Sequence, residues 1–332
     1  MQRIGVIGAG AWGTALAAMA RRAGRDVTLW ALEDEVADSI NSRHVNDLYL
    51  PDVELDPGIR ATTDAAAAVD ADLVLLVAPA QHLRKVCETL APAWNDGVPA
   101  VICAKGIERG SNALMTDVIA AALPHAPAMV LSGPTFAKEV AAGLPTAVTL
   151  ACSDSDLGER AAAAIGTPTF RPYLSEDLVG AAVGGAVKNV LAIACGLVGG
   201  KKLGDNARAA LITRGLVEVV RLALSLGGRQ ETLMGLCGLG DLLLTATSMQ
   251  SRNYSLGAAL GEGRTLDEVL GERRAVTEGV YTAEAVVALA EDKAVDMPIC
   301  RAMDQILNRD VPVDTAIAEL LSRPIKEELD FT

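Results

Sequence analysis

The chain has few aromatic residues: three Phe, three Trp and four Tyr make up 3% of its 332 residues. A core with so few large rings must fill its volume with Leu, Val and Ile and with closely packed helices of small side chains. Histidine is scarcer, at three copies, and none of the six cysteines (Cys87, Cys103, Cys152, Cys195, Cys237 and Cys300) forms a C-x-x-C pair. Zinc spacings are therefore missing, no metal site is expected, and six scattered cysteines at this length do not read as a disulfide framework. They are expected to be buried, reduced thiols of a cytoplasmic protein. Positive charge is also in deficit, with 29 Lys+Arg against 42 Asp+Glu and a net charge of −13. Such a surface repels nucleic acid and anionic lipid, so neither is expected as a partner. Exposed charges are screened beyond ~8 Å at physiological salt, which leaves room for a local basic pocket that takes a small anion. No apolar run reaches the ~18 residues of a bilayer span without interruption by Lys188, Glu218 or Arg221, and no integral membrane segment is expected. The opening "MQRIGVIGAG" is strand-like and lacks a signal-peptide layout.

What the chain does have is apolar mass, 51% hydrophobic against 21% charged residues, enough for a large core and too much for disorder. The length suggests two domains. In the first half short apolar runs alternate with helical stretches: "RIGVI" (3–7), "DVTLW" (26–30), "DLVLLVAP" (72–79), "PAVICA" (99–104) and "AMVLSGP" (128–134). Strands that are continuously apolar rather than alternating belong to a mostly parallel sheet covered on both faces. "TAVTLAC" (146–152) and "TFRPYL" (169–174) add strands at one end. From 179 the pattern becomes helical, with 178–200 reading as one long buried helix or two broken at glycines, and 207–228 as a second long helix. The expectation is an α/β Rossmann-type, doubly wound domain over 1–178, followed by an all-α substrate domain over 179–332.

"GAGAWG" supplies Gly8, Gly10 and Gly13 in a G-x-G-x-x-G pattern, with a strand before it and a helix after it. In that context the first glycine permits a tight turn, the second lets a pyrophosphate approach the backbone, and the helix N-terminus supplies N–H donors. At the end of the second strand stand Leu32, Glu33, Asp34 and Glu35, with no Arg or Lys. Carboxylates there suit ribose hydroxyls and disfavour a 2′-phosphate, which favours NADH over NADPH.

Lys188 lies in "AVKNVLAIACG", among apolar side chains. A lysine there either snorkels or pairs with a core carboxylate, or it has a chemical task. Asn189 adds a second polar group beside it, and Lys105 in "CAKGIERG" follows another core strand at the carboxyl end where open α/β sheets bind ligands. Burial and a like charge would bring a lysine from ~10.4 to ~8, which makes it a usable proton donor near neutral pH. Asp241 sits in another small, apolar segment, and Ser251, Arg252 and Asn253 open a helix suited to clamp a phosphate. Each also has a plain reading, Asp241 as a helix cap and "SRN" as an exposed helix start.

Taken together, "GAGAWGTALA", "CAKGIERG", "SGPTFAKEVAAGLPTAV", "GGAVKNVLAI", "NARAALITRGL", "GLGDLLLTATSMQSRN" and "TEGVYTAEAV" resemble the NAD(P)-dependent glycerol-3-phosphate dehydrogenases of bacterial type, over nearly the whole chain. The resemblance implies reversible reduction of dihydroxyacetone phosphate to sn-glycerol 3-phosphate with NAD or NADP, supplying the backbone of glycerophospholipids, in a homodimer. It implies that Lys188 exchanges the proton. It also implies that Lys105, Gly133, Thr135, Asp241, Ser251, Arg252 and Asn253 contact substrate. Gly8, Gly10, Ala11, Trp12, Gly13, Leu32, Lys105, Ala137, Arg252, Val276 and Glu278 would contact the cofactor. One departure stands out: many bacterial members carry Arg or His where this chain has Leu32. The nearest rival is a two-domain Rossmann dehydrogenase for a hydroxy acid, of the 6-phosphogluconate or hydroxyisobutyrate type. A non-catalytic dinucleotide sensor is a rival of a different class.

Overall fold

The strands are β1 (Arg3–Ile7), β2 (Asp26–Trp30), β3 (Val45–Asn46), β4 (Leu50–Glu54), β5 (Ile59–Thr62), β6 (Leu73–Leu76), β7 (Ala100–Ile102), β8 (Ala128–Ser132), β9 (Thr146–Cys152) and β10 (Phe170–Ser175). They were obtained from a computed structural model that describes residues 1–272, 276–325 and 327–328. Eight of them form one sheet in the order β10-β9-β8-β7-β6-β1-β2-β5, and β3 and β4 pair separately as an antiparallel ribbon. Every neighbouring pair in the large sheet is parallel except β8 with β9. All four residues of β6 and four of the five in β1 are buried, as strands covered on both faces require.

Helices α1 (Ala11–Arg22), α2 (Asp34–Arg43), α3 (Ala65–Val69), α4 (Ala80–Leu90), α5 (Met115–Ala122), α6 (Ala137–Ala141) and α7 (Ser155–Ile165) accompany this sheet. The chain runs from β1 to β2 on one side and later returns with β6 on the other side of β1. The order reverses at β1, and ligands of open α/β sheets bind at such a switch point, beyond the carboxyl ends of the strands. The ribbon β3–β4 and the edge strand β5 had no clear sequence signal. The segment "LPDVE" carries a proline and two acids, and β5 has only four residues.

The second part holds α8 (Leu178–Gly200), α9 (Asp205–Ser225), α10 (Gln230–Leu233), α11 (Asp241–Ala246), α12 (Arg252–Gly261), α13 (Leu266–Gly271), α14 (Glu278–Asp292), α15 (Pro298–Asn308) and α16 (Val313–Leu321). Of the two forms the sequence allowed for 178–200, the unbroken one occurs. Its glycines admit a neighbour instead of breaking the helix. A Cβ at Gly196 would lie 2.0 Å from the Tyr254 carbonyl oxygen, and one at Gly257 would lie 1.9 Å from that of Ile193. The backbones of α8 and α12 thus approach where only hydrogen fits. Helix α8 is, by length and composition, apolar enough to cross a bilayer (23 residues, mean hydropathy 1.8), contrary to the expectation that Lys188 disqualifies the run. Yet 83% of its most apolar window is buried inside the protein, as in the core helix of a packed domain.

By packing, the chain divides into two units. Unit 1 is Met1–Ala104 with Met115–Leu178, and unit 2 is Lys105–Leu114 with Val179 onward. The division is therefore not a single cut at 178, because Lys105–Leu114 belongs with the helices. Ile107 and Leu114 of that segment are buried in the apolar core built by α8, α9 and α14. All six cysteines are buried, and none is in a disulfide.

Candidate active site

Unit 2 gathers a charged cluster inside an apolar frame. Asp241, the first residue of α11, is 0% exposed and accepts from two ammonium groups. Lys188 Nζ donates to Oδ1 at 2.7 Å, and Lys105 Nζ to Oδ2 at 2.6 Å. Lys188 Nζ also donates to Thr245 Oγ1 at 2.8 Å, and that hydroxyl donates to the Asp241 carbonyl at 2.6 Å. Thr245 was not anticipated. Its signal was its spacing, four residues after Asp241 and so on the same helix face.

The electrostatics follow from this arrangement. Burial lowers Lys188 to about 8; Asp241 opposes the shift, while Lys105 and Arg252 add to it. Burial alone would raise the Asp241 carboxyl, but Lys105 and Lys188 hold it below the usual carboxylate range. Asp241 is therefore ionised at neutral pH and accepts from both lysines. Its plain reading as a helix cap does not hold, since its side chain bonds the lysines and Gly240 occupies the cap position.

A chain of amides extends the cluster. Gly279 N–H donates to Asn253 Oδ1 (3.1 Å), Asn253 Nδ2 to Asn189 Oδ1 (2.9 Å), and Asn189 Nδ2 to the Lys105 carbonyl (3.2 Å). The backbone that carries Lys105 is thereby tied to α8, α12 and α14. Ser251 is the N-cap of α12, accepting from the Tyr254 N–H at 3.2 Å. Arg252 is exposed in the first turn of that helix, and Glu278, the first residue of α14, lies close enough for its charge to favour the guanidinium. Between Val276 and Glu278, Thr277 buries a hydroxyl that has no partner among the described residues.

Unit 1 holds the glycine-rich turn. Gly8 has φ +117°, a conformation that glycine adopts without steric cost, and a Cβ at Gly13 would lie 1.8 Å from the Gly8 carbonyl oxygen. Gly10 differs: a Cβ there would meet nothing within 4 Å, so the turn is open on that side. The N–H groups of Gly10, Ala11, Trp12 and Gly13 have no acceptor among the described residues, and no acidic residue stands in the first turn of α1. The Trp12 indole Nε1 is buried and likewise has no partner. Free donors on an open glycine turn at a helix N-terminus fit a dinucleotide pyrophosphate.

Leu32 is 75% exposed, and Glu33 beside it accepts from the Tyr49 hydroxyl at 2.7 Å. That bond, with Glu33's charge, raises the Tyr49 pKa. Gly133, Thr135 and Ala137 follow the carboxyl end of β8. Thr135 Oγ1 donates to the Gly133 carbonyl at 3.2 Å, and Ala137 begins α6. Each expected set of residues is thus gathered within its own unit, the lysines, Asp241 and Asn253 in unit 2 and the glycine turn and the β8 turn in unit 1.

Models of the two halves of one family match the chain: the N-terminus of NAD-dependent glycerol-3-phosphate dehydrogenase over residues 3–158 and its C-terminus over 177–318. The chain belongs to the NAD-dependent glycerol-3-phosphate dehydrogenase family. A relative named glycerol-3-phosphate dehydrogenase [NAD(P)+] from Rhodospirillum rubrum is 64% identical, over 99% of this chain and 94% of its own length. The crystal structure of glycerol-3-phosphate dehydrogenase from Coxiella burnetii superposes with a TM-score of 0.93 at 41% identity, covering 97% of this chain and 99% of that one. A ketopantoate reductase structure from Ralstonia eutropha reaches a TM-score of 0.61 at 16% identity, over 96% of this chain and all of that one, and shares the fold alone. Membership in the family and the mostly parallel sheet followed by helices agree with what the sequence motifs implied.

Proposed function

We propose that this chain catalyses the reversible reduction of dihydroxyacetone phosphate to sn-glycerol 3-phosphate with NADH or NADPH, providing the glycerol backbone for phospholipid synthesis. The observation that carries the reading is the pair Lys188–Asp241, a buried ammonium held near neutral pKa by burial and oriented by a buried carboxylate.

The bound nicotinamide supplies a hydride. Lys188 stabilises the negative charge that grows on the ketone oxygen and transfers its proton there; in the reverse direction it takes the hydroxyl proton. Asp241 keeps the Lys188 ammonium in one orientation and balances its charge. Thr245 fixes a second of its hydrogens, so a single hydrogen remains for the substrate. Lys105, held by the other Asp241 oxygen, adds positive charge for an anionic substrate. Arg252 and the N-terminal turn of α12 hold the phosphate, and that remote binding serves to position the carbonyl. Asn253 contributes less than a full clamp, because its amide already accepts from Gly279 and donates to Asn189. One hydrogen remains for a ligand.

In unit 1 the Gly8–Gly13 turn, with Ala11 and Trp12, takes the pyrophosphate, and Ala137 adds a cofactor contact; in unit 2 Val276 and Glu278 are the residues read as cofactor contacts. Gly133 and Thr135 line the substrate. The exposed Leu32 and the carboxylate of Glu33 support a preference for NADH, since neither pairs with a 2′-phosphate. We also read the protein as a cytoplasmic homodimer, to be checked by light scattering. The test of the reaction is a substrate panel: purified protein with reduced cofactor and dihydroxyacetone phosphate, against oxidised cofactor with the hydroxy acids 6-phosphogluconate and hydroxyisobutyrate. Turnover of dihydroxyacetone phosphate alone supports the reading. Turnover of a hydroxy acid alone replaces it with the hydroxy-acid alternative.

A further inference from the structure

Asn46 has no part in the chemistry above, yet at 1% exposure its amide is among the most buried polar groups of unit 1. It stands in β3, in the short ribbon outside the main sheet. Its Nδ2 donates to the Ala9 carbonyl at 2.8 Å and to Thr14 Oγ1 at 2.8 Å, and its Oδ1 accepts from the Tyr49 N–H at 3.1 Å. Thr14 Oγ1 donates to the same Ala9 carbonyl at 3.3 Å. Ala9 is the middle residue of the Gly8–Ala9–Gly10 turn, so two buried donors hold one carbonyl of that turn toward the protein interior.

The Ala9–Gly10 peptide is trans, and in a trans peptide the N–H points opposite to the C=O. Drawing the Ala9 oxygen inward therefore turns the Gly10 N–H outward, to the open side of the turn, next to the unpaired N–H groups of Ala11, Trp12 and Gly13. Rotating this plane changes ψ of Ala9 and φ of Gly10, and Gly10, which has no Cβ, does not resist the change. A rotated peptide would present its carbonyl oxygen, the negative end of the dipole, where the N–H had been.

We propose that Asn46 is a positioning residue of the dinucleotide site: its buried amide anchors the Ala9 carbonyl and so keeps the Gly10 N–H aimed at the pyrophosphate. The proposal rests on the nucleotide reading of this turn and extends it to a residue on a separate element. The second link from the ribbon, Tyr49 to Glu33, ties the same segment to the acid after β2.

The test replaces the donor and keeps the shape. Asn46→Asp retains an oxygen for the Tyr49 N–H and puts a second oxygen where Nδ2 had donated. Affinities of the full-length protein for NADH and ADP-ribose are read by calorimetry, and that for adenosine, which has no phosphate, by ligand-observed NMR. NADH and ADP-ribose should each bind about tenfold more weakly or worse, while adenosine stays within about twofold. Unchanged ADP-ribose affinity in the folded variant overturns the proposal, and so does an equal loss for adenosine, which marks Asn46 as a support of the fold only. Should Asn46→Asp fail to fold, Thr14→Val removes one of the two donors to Ala9 and must show the same pattern at smaller size. Its unchanged ADP-ribose affinity would likewise overturn the proposal. Failure of the unaltered protein to bind ADP-ribose would instead remove the nucleotide site, and this role of Asn46 with it.

Discussion

Lys188 Nζ lies 2.7 Å from Asp241 Oδ1, and both groups are buried, at 7% and 0% exposure. A buried ion pair is poor evidence of stability, since desolvation of two charges offsets most of their attraction. Its chemical consequence is clearer, because the pair sets the protonation state of a proton donor and the direction in which it points.

Lys188→Met keeps much of the volume and removes the proton. Asp241 retains Lys105 as a partner, so the fold should survive. Turnover should fall by about 10²- to 10⁴-fold, the usual scale of a general acid, with NADH affinity unchanged. A non-catalytic nucleotide sensor would lose nothing measurable. Steady-state kinetics and a cofactor titration on one preparation decide between them.

Asp241→Asn should be worse for the fold. It leaves the buried Lys188 ammonium and the partly buried Lys105 ammonium without their carboxylate, and breaking a buried pair in this way costs about 3 kcal/mol or more. We expect a clear drop in melting temperature, together with a fall in kcat. A variant that melts like the parent would show that Asp241 does not carry the charge balance described here.

The pH profile has a defined sign. Lys188 is lowered to about 8, and reduction needs its protonated form, so kcat/KM for reduction should fall as pH rises through about 8. Oxidation needs the neutral amine and should rise through the same point. Stability moves the same way as oxidation. Between about 8 and the ordinary 10.5 the unfolded chain binds the extra proton, so the cost of burying this lysine fades as pH rises through that window.

Glu218 offers an independent check away from the site. Its carboxylate accepts from the N–H groups of Ile299 (2.7 Å) and Cys300 (3.1 Å) at the start of α15, and burial raises it from 4.5 to about 7 against the pull of those bonds and of Arg221. The folded state therefore binds a proton that the unfolded state has released between these values. The stability this contributes is present below about 4.5 and lost as pH rises through about 7. The melting-temperature difference between parent and Glu218→Gln should accordingly shrink in the parent's disfavour from pH 4.5 to 7.5. A constant difference would contradict the raised value.

Leu32→Arg tests cofactor choice. The side chain at 32 is 75% exposed and free to extend, and a guanidinium there pairs with a 2′-phosphate. The NADPH-to-NADH ratio of kcat/KM should rise about tenfold or more. No change would place the discriminating contact elsewhere.

Much of this was legible in the chain itself. The continuous apolar runs of β1 and β6 and the glycine turn between β1 and α1 declared a parallel sheet and its nucleotide end. Lys188 and Asp241 declared themselves as charges in apolar company. Their pairing, and the place of Lys105 on the other carboxylate oxygen, did not. Those depend on where Lys105–Leu114 packs, and that segment joins helices far along the sequence. Thr245 and Asn46 were missed for a related reason: a threonine in a helix or an asparagine in a two-residue strand acquires meaning only from the group it meets. The unbroken α8 shows the reverse case, a run whose glycines suggested a break until the close approach of α12 explained them.

The most direct measurement follows reduced cofactor by absorbance as purified protein meets dihydroxyacetone phosphate, with NADH and NADPH run side by side and the product identified as sn-glycerol 3-phosphate. The account predicts oxidation of the cofactor, faster with NADH, and a rate that declines above about pH 8 as Lys188 loses its proton. Folded protein that binds NADH yet leaves it unoxidised with this substrate would contradict it.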